Sequence, residues 1–281
     1  MQAGCAPTGE RRGCCKNWEH SVPVVVAKTR FMAEPERFEV DPVSASIRFG
    51  GKTLGMNELQ WDLPTRGSVY GVLLNYRGAL TALDMAGSSS PPPHAPVLFV
   101  KPANTWIAYG DAIPVPEDVE SIEAGAALGI VIGRTARRVA AVDALGYVAG
   151  YTIVNDVRET DPRYHRAATR QHCRDGFCAI GPWLMPRQSL SSPDALTLRV
   201  LVNGVPRAQN TTANMIRSVA TLIADVTEFL TLSPGDILHT GVPENAPRIG
   251  AGDRVRIEVE GIGALENRVV AERELMTGGS R

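Results

Sequence analysis

The chain has 281 residues, 44% of them hydrophobic and 21% charged, with a formal net charge of -1. That length and apolar content suffice for one sizeable core, in a single large domain or a domain with a small appendage. The near-zero charge argues against a nucleic-acid or anionic-membrane partner, which is recognised through a basic surface, and no apolar run reaches the roughly 20 residues of a membrane span.

Residues 1–20 carry Cys5, Cys14 and Cys15 among Gly, Arg and Lys. They have no apolar signal-peptide core, and no second Cys/His pair follows at zinc-finger spacing. The expectation is a disordered leader, a cytoplasmic location and no structural zinc. Residues 21–66 read as a small β appendage: 44–49 and the run around Leu59-Gln-Trp61 are strand-like, Gly50-Gly51 makes a turn, and Pro64 closes the section. From 67 to 281 the pattern is that of a larger, strand-rich domain. Its β-branched segments over 69–74, 97–100, 128–132, 150–154, 196–202 and 255–260 predict strands.

A polar, stiff loop over 88–93 has the composition of one that flanks a site. Two helices are predicted. One is short, over 142–148, with Asp143 near its start. The other covers 212–230, where Met215, Val219, Leu222, Ile223, Val226 and Phe229 recur at three- and four-residue spacing and define a packing face. The absence of an internal repeat and of regular strand-helix alternation excludes a dinucleotide-binding fold.

The chemistry lies in a series of turns. Asn155-Asp156 closes a strand after Ala149-Gly150-Tyr151; Cys173-Arg-Asp-Gly-Phe-Cys178 has Gly181-Pro182 behind it; Asn203-Gly204 is followed by Gln209; and Ser233-Pro-Gly-Asp236 leads to Thr240-Gly241. In this order they resemble the fumarylacetoacetate hydrolase superfamily over residues 67–274. Lys101-Pro-Ala-Asn-Thr105, then Ile113-Pro-Val-Pro116, together with the Cys173–Cys178 turn, resemble more narrowly the first half of the fused isomerase/decarboxylases of 4-hydroxyphenylacetate (homoprotocatechuate) breakdown.

The resemblance implies a β-rich α+β fold, a mixed β-sandwich roll of the fumarylacetoacetate hydrolase type with one main helix. It implies a small dicarboxylate substrate with a 2-keto or 2-enol group. That group chelates a divalent cation, Mg2+ or Mn2+, which acts as an electron sink. A homodimer, or a heteromer with a metal-complete paralogous subunit, is the expected assembly, because the fused relatives pair two such domains.

The family pattern has two glutamates spaced so that both face one side of a strand, plus the aspartate of the Asn-Asp turn. Aligned on Val131-Ile-Gly133, the glutamates fall on Gly125 and Ala127, which leaves Asp156 as the one metal ligand and implies weak affinity. Glu123 lies on the same face but a full pleat, roughly 7 Å, upstream. The family histidine after Asn-Tyr falls on Ala79, and the lysine before Arg-Asp-Gly falls on His172.

His172 and Asp175 are therefore the catalytic candidates for proton transfer. Lys101, Asn104, Thr105, Arg174, Gln209 and Thr240 are the substrate-binding candidates, with an internal Arg174–Asp175 ion pair as the alternative for that arginine. His94 is read as an exposed residue of the proline loop, and His165 and His239 as structural. Three functions follow. One is a subunit that isomerises 2-hydroxyhepta-2,4-diene-1,7-dioate and decarboxylates 5-carboxymethyl-2-oxo-hex-3-ene-1,6-dioate. The second is a catalytically silent partner of a competent subunit, and the third a metal-independent tautomerase.

Overall fold

A computed structural model describes residues 23–41, 46–85, 93–159 and 168–277. The cysteine-bearing leader, most of the 88–93 loop and His165 lie outside the described residues.

Three strands form the centre of the domain. Ala126–Ile132, Val148–Asp156 and Cys178–Pro186 run antiparallel side by side, with Leu128 opposite Ile153 and Val154 opposite Ile180. Nearly every residue of the first two is buried, which explains their largely apolar sequences: both faces of this part of the sheet are covered. On one side the sheet continues through Ile237–His239, Val69–Leu73 and Val97–Lys101. On the other it continues through Val24–Ala27, Glu36–Asp41, Ser46–Phe49 and Lys52–Gly55.

The appendage is thus a lateral extension of the main sheet, joined by the pairing of Val26 with Leu184. Its strands alternate buried and exposed residues, as one-sided strands do, and point Val25, Ala27, Phe38, Val40 and Ile47 inward. Trp61 ties this layer to the rest. Its ring lies 6.4 Å from Phe38, 6.2 Å from Tyr109 and 6.0 Å from Trp183, and its indole N–H donates to the Met56 carbonyl at 2.8 Å.

A second sheet packs on the first. Its order is Val205–Thr211, Thr197–Val202, Arg254–Val259, Gly263–Ala271 and Ala112–Val115. A small sheet of Arg158–Glu159, Ile122–Glu123 and Arg248–Ile249 holds the entrance to the Ala126–Ile132 strand. The result is the β-rich α+β roll expected from the sequence. Among the described residues no helix is long and apolar enough to cross a membrane.

The helices depart from the sequence reading. The 142–148 segment forms one 3-10 turn, Ala144–Tyr147, before the next strand begins at Val148. The 212–230 helix contracts to Val219–Thr227. Ser218 caps it by accepting from the Thr221 N–H, while the preceding backbone is drawn off toward Asn75, which accepts from the N–H groups of Ile216 and Arg217. Met215 is buried as the periodicity predicts, but Phe229 lies beyond the helix and is 65% exposed. The Leu59-Gln-Trp61 run forms no strand: it follows a 3-10 turn, Met56–Glu58, and makes one isolated bridge, between Trp61 and Thr29. A helix over Arg77–Met85 has no counterpart in the sequence reading.

Because Trp61 belongs to the core of both layers, Trp61→Ala is expected to cost about 3–5 kcal/mol in a single cooperative urea transition. Two transitions, one of them unaffected by the substitution, would mean that the appendage folds apart.

Candidate active site

The register of the main sheet brings the chemically active residues together. Phe99 pairs with Gly71, Gly71 with His239, His239 with Gly129, and Gly129 with Thr152, so a histidine sits on one rung between two glycines. The glycines leave the room it needs: a Cβ at Gly71 would overlap the His239 imidazole and the Phe99 ring. Phe99 stands 4.8 Å, centroid to centroid, from His172 and 5.5 Å from His239.

Asp156 ends its strand in the middle of this group and is 1% exposed. Its Oδ1 lies 2.6 Å from Lys101 Nζ and 3.8 Å from His172 Nδ1, and its Oδ2 lies 3.9 Å from His239 Nε2. Both histidine distances are too long for hydrogen bonds. Burial alone would raise the Asp156 carboxyl, but the Lys101 ammonium, helped by the two imidazoles, more than offsets this and holds it far below the usual carboxylate range. His239 is pushed down to about 4, mainly by burial. Its Nδ1 accepts from the Gly241 N–H at 3.3 Å, so the neutral ring carries its hydrogen on Nε2, facing Asp156.

The donor set does not fit Mg2+ or Mn2+. Ala127 is fully buried, and a Cβ at Gly125 would overlap the Asp156 carbonyl oxygen and come within 2.6 Å of Val242. No carboxylate can stand at Gly125 in this backbone, and Ala127 supplies none. An ammonium already lies against Asp156, and His239 turns an N–H toward it rather than a lone pair. Among the described residues no three His, Cys, Asp or Glu side chains are grouped as ligands. Asp156, expected as the remaining metal ligand, is instead half of a buried ion pair. Glu123, the upstream alternative, pairs with Arg158 at 2.9 Å.

Two of the substrate-binding candidates are engaged by partners within the protein. Lys101 is fully buried and donates to the carbonyls of Val157 (2.9 Å), His172 (2.6 Å) and Phe177 (3.0 Å), so none of its hydrogens is left for a substrate. Arg174 is engaged by Glu159 and Asp118, neither of which is the neighbouring Asp175. Of the two catalytic candidates, Asp175 accepts from Asn104 Nδ2 at 2.6 Å on the exposed side of the turn, and the carboxylate beside His172 Nδ1 is Asp156, at 3.8 Å. Thr105 is buried and donates to the Pro102 carbonyl at 2.7 Å.

Gln209 and Thr240 lie toward a different polar group. Thr240 Oγ1, the Tyr76 hydroxyl and Glu244 Oε2 are buried without hydrogen-bond partners. Burial, with the Glu244 charge nearby, pushes Tyr76 up to about 12. Glu244 fills the space above Gly78, where a Cβ would overlap its carboxyl, and accepts from Asn210 Nδ2 at 3.0 Å. Gln209, Asn210, Glu244 and Val242 line a crevice of about 20 Å3, room for a single water. A cavity of about 500 Å3 lies elsewhere, against Trp183, Tyr109 and Met56. Sequence reasoning missed His239, Phe99, Tyr76 and Glu244. The usable signals were the glycines at 71, 78 and 129, small residues in strands and a helix that each make way for a neighbour.

Comparison with known proteins agrees with this architecture. The profile of the fumarylacetoacetate (FAA) hydrolase C-terminal family matches residues 68–270, and the chain belongs to that family. It is 41% identical over 215 residues to the 4-hydroxyphenylacetate degradation bifunctional isomerase/decarboxylase of Escherichia coli, an alignment covering 75% of this chain and 49% of that protein. The chain thus spans about half the length of the first curated relatives it matches. The crystal structure of 2-hydroxyhepta-2,4-diene-1,7-dioate isomerase from Mycobacterium marinum superposes with a TM-score of 0.75 at 28% identity, covering 90% of this chain and 99% of the other. Maleylpyruvate hydrolase from Sphingobium sp. SYK-6, solved with manganese (II) and pyruvate, is 25% identical with a TM-score of 0.65, over 78% of this chain and 77% of its own.

The crowding at Gly125 sets a direct expectation. Gly125→Ala should destabilise the protein by about 1–3 kcal/mol, because the Asp156 carbonyl is backbone and cannot rotate away. Chemical denaturation measures it, and an unchanged midpoint would show that the strand has slack at this position.

Proposed function

We propose that this chain is the metal-free partner in an isomerase/decarboxylase of 4-hydroxyphenylacetate catabolism, which acts on a small 2-keto/2-enol dicarboxylate. In this reading the catalytic cation is held by a metal-complete paralogous domain paired with it, and both work in the cytoplasm. The observation that carries the proposal is the closed strand: Gly125 and Ala127 provide no carboxylate, and Gly125 has no space for one. The match to about half of a bifunctional relative supports a paired arrangement.

The test is activity on 2-hydroxyhepta-2,4-diene-1,7-dioate with Mg2+ or Mn2+ present. The isolated chain is expected to show at most about 1% of the rate of its mixture with a metal-complete paralogue, in line with the size of a metal ion's contribution to such a transition state. Full activity of the isolated chain would refute the proposal.

One observation favours a second reading, the metal-independent tautomerase. His172 keeps part of its ring at the surface, 12% exposed, with Nδ1 3.8 Å from Asp156 Oδ1, so an imidazole capable of proton transfer reaches solvent beside the buried carboxylate. If that reading holds, ketonisation of the hydroxydienoate in chelator falls by about 100-fold in His172→Ala. An unchanged rate removes His172 as the base.

A further inference from the structure

We infer that Lys101 is the resident cation of this site. Its ammonium, enclosed by oxygens beside Asp156, supplies the positive charge that a divalent ion supplies elsewhere in the family, and the chain folds and keeps its site without metal. The inference concerns which group stands opposite the buried Asp156 carboxyl and ties the backbone around it, so it goes beyond either functional reading.

The surroundings of Nζ are those of a bound cation. Four oxygens lie around it: the carbonyls of Val157, His172 and Phe177 at 2.6–3.0 Å and Asp156 Oδ1 at 2.6 Å. An ammonium has three hydrogens, and the three carbonyls take them. The carboxylate oxygen is left without a hydrogen bond of its own and is held by charge. The carbonyls come from the residue after Asp156, from the end of the short Thr169–His172 helix and from the residue before the Cys178–Pro186 strand. One ammonium therefore joins three separate stretches of backbone around the carboxylate, as a metal ion would.

No other cation substitutes for it. Among the described residues Lys101 is the only lysine or arginine in ion-pair range of Asp156, and Arg174, the arginine of the adjacent turn, is taken by Glu159 and Asp118. His239 accepts from Gly241 at Nδ1 and stays neutral. Without Lys101 the carboxylate would be a buried charge with nothing opposite, a strongly unfavourable state.

The test is thermal melting of the full chain, followed by circular dichroism, for wild type, Lys101→Met, Asp156→Asn and the double variant, each in EDTA and in millimolar Mn2+. The wild type is expected to melt at the same temperature in both solutions to about 1 °C. Lys101→Met is expected to fall by roughly 10 °C or more, and adding Asp156→Asn should recover a substantial part of the loss because the stranded charge is gone. Stabilisation of the wild type by several degrees in Mn2+ would overturn the inference. So would a double variant no more stable than Lys101→Met, since Lys101 would then matter only as a donor to the three carbonyls. Should Lys101→Met not fold, the double variant decides alone: folded protein supports the inference and its absence overturns it.

Discussion

A carboxylate sealed from water needs an opposite charge at contact distance, and the pairing of Asp156 with Lys101 meets that need at the centre of this fold. Asp156 ends one of the three central strands; Lys101 ends the last strand on one edge of the same sheet. Between them lie the Ala126–Ile132, Ile237–His239 and Val69–Leu73 strands, whose order and register must be correct for the two ends to meet. The carbonyls that receive the Lys101 hydrogens flank Asp156 and the Cys173–Cys178 turn, so the geometry of that turn, including the position of His172, depends on the same ammonium.

Close packing accounts for the rest of the site. Gly125 lies against the Asp156 carbonyl and Val242, Gly78 against the Glu244 carboxyl, and Gly71 against Phe99 and His239. Each glycine marks a place where a neighbour already occupies the volume a side chain would need, and interiors packed at crystal-like density do not yield that volume cheaply. The family relationship therefore carries over as architecture. The ligand positions do not carry over as ligands, because the cradle has been refilled with apolar and backbone atoms.

Much of the fold was legible in sequence. The β-branched runs locate the six predicted strands to within two residues, because such side chains favour the pleated backbone, whether the strand is buried throughout or on alternate residues. The long helix over 212–230 was misread because the spacing of apolar residues is blind to a competing partner. Asn75, distant in sequence, claims the N–H groups of Ile216 and Arg217 and forces the helix to begin at Ser218. Lys101 and Arg174 were read as substrate contacts for a related reason: a cationic side chain near a site can point outward to a ligand or inward to carbonyls and acids, and residue type does not distinguish the two.

The sequence by itself determined the strand content, the family, and the absence of glutamate at positions 125 and 127, all of which depend only on which residues occur and in what order. The tertiary structure alone decided that Gly125 cannot accept a side chain, that His239 faces Asp156, and that the charge of Asp156 is met by Lys101. Those facts depend on pairing between segments far apart in the chain, where distances of a few ångströms decide whether an oxygen meets a metal, an ammonium or a carbon. Local sequence contains no record of such distances.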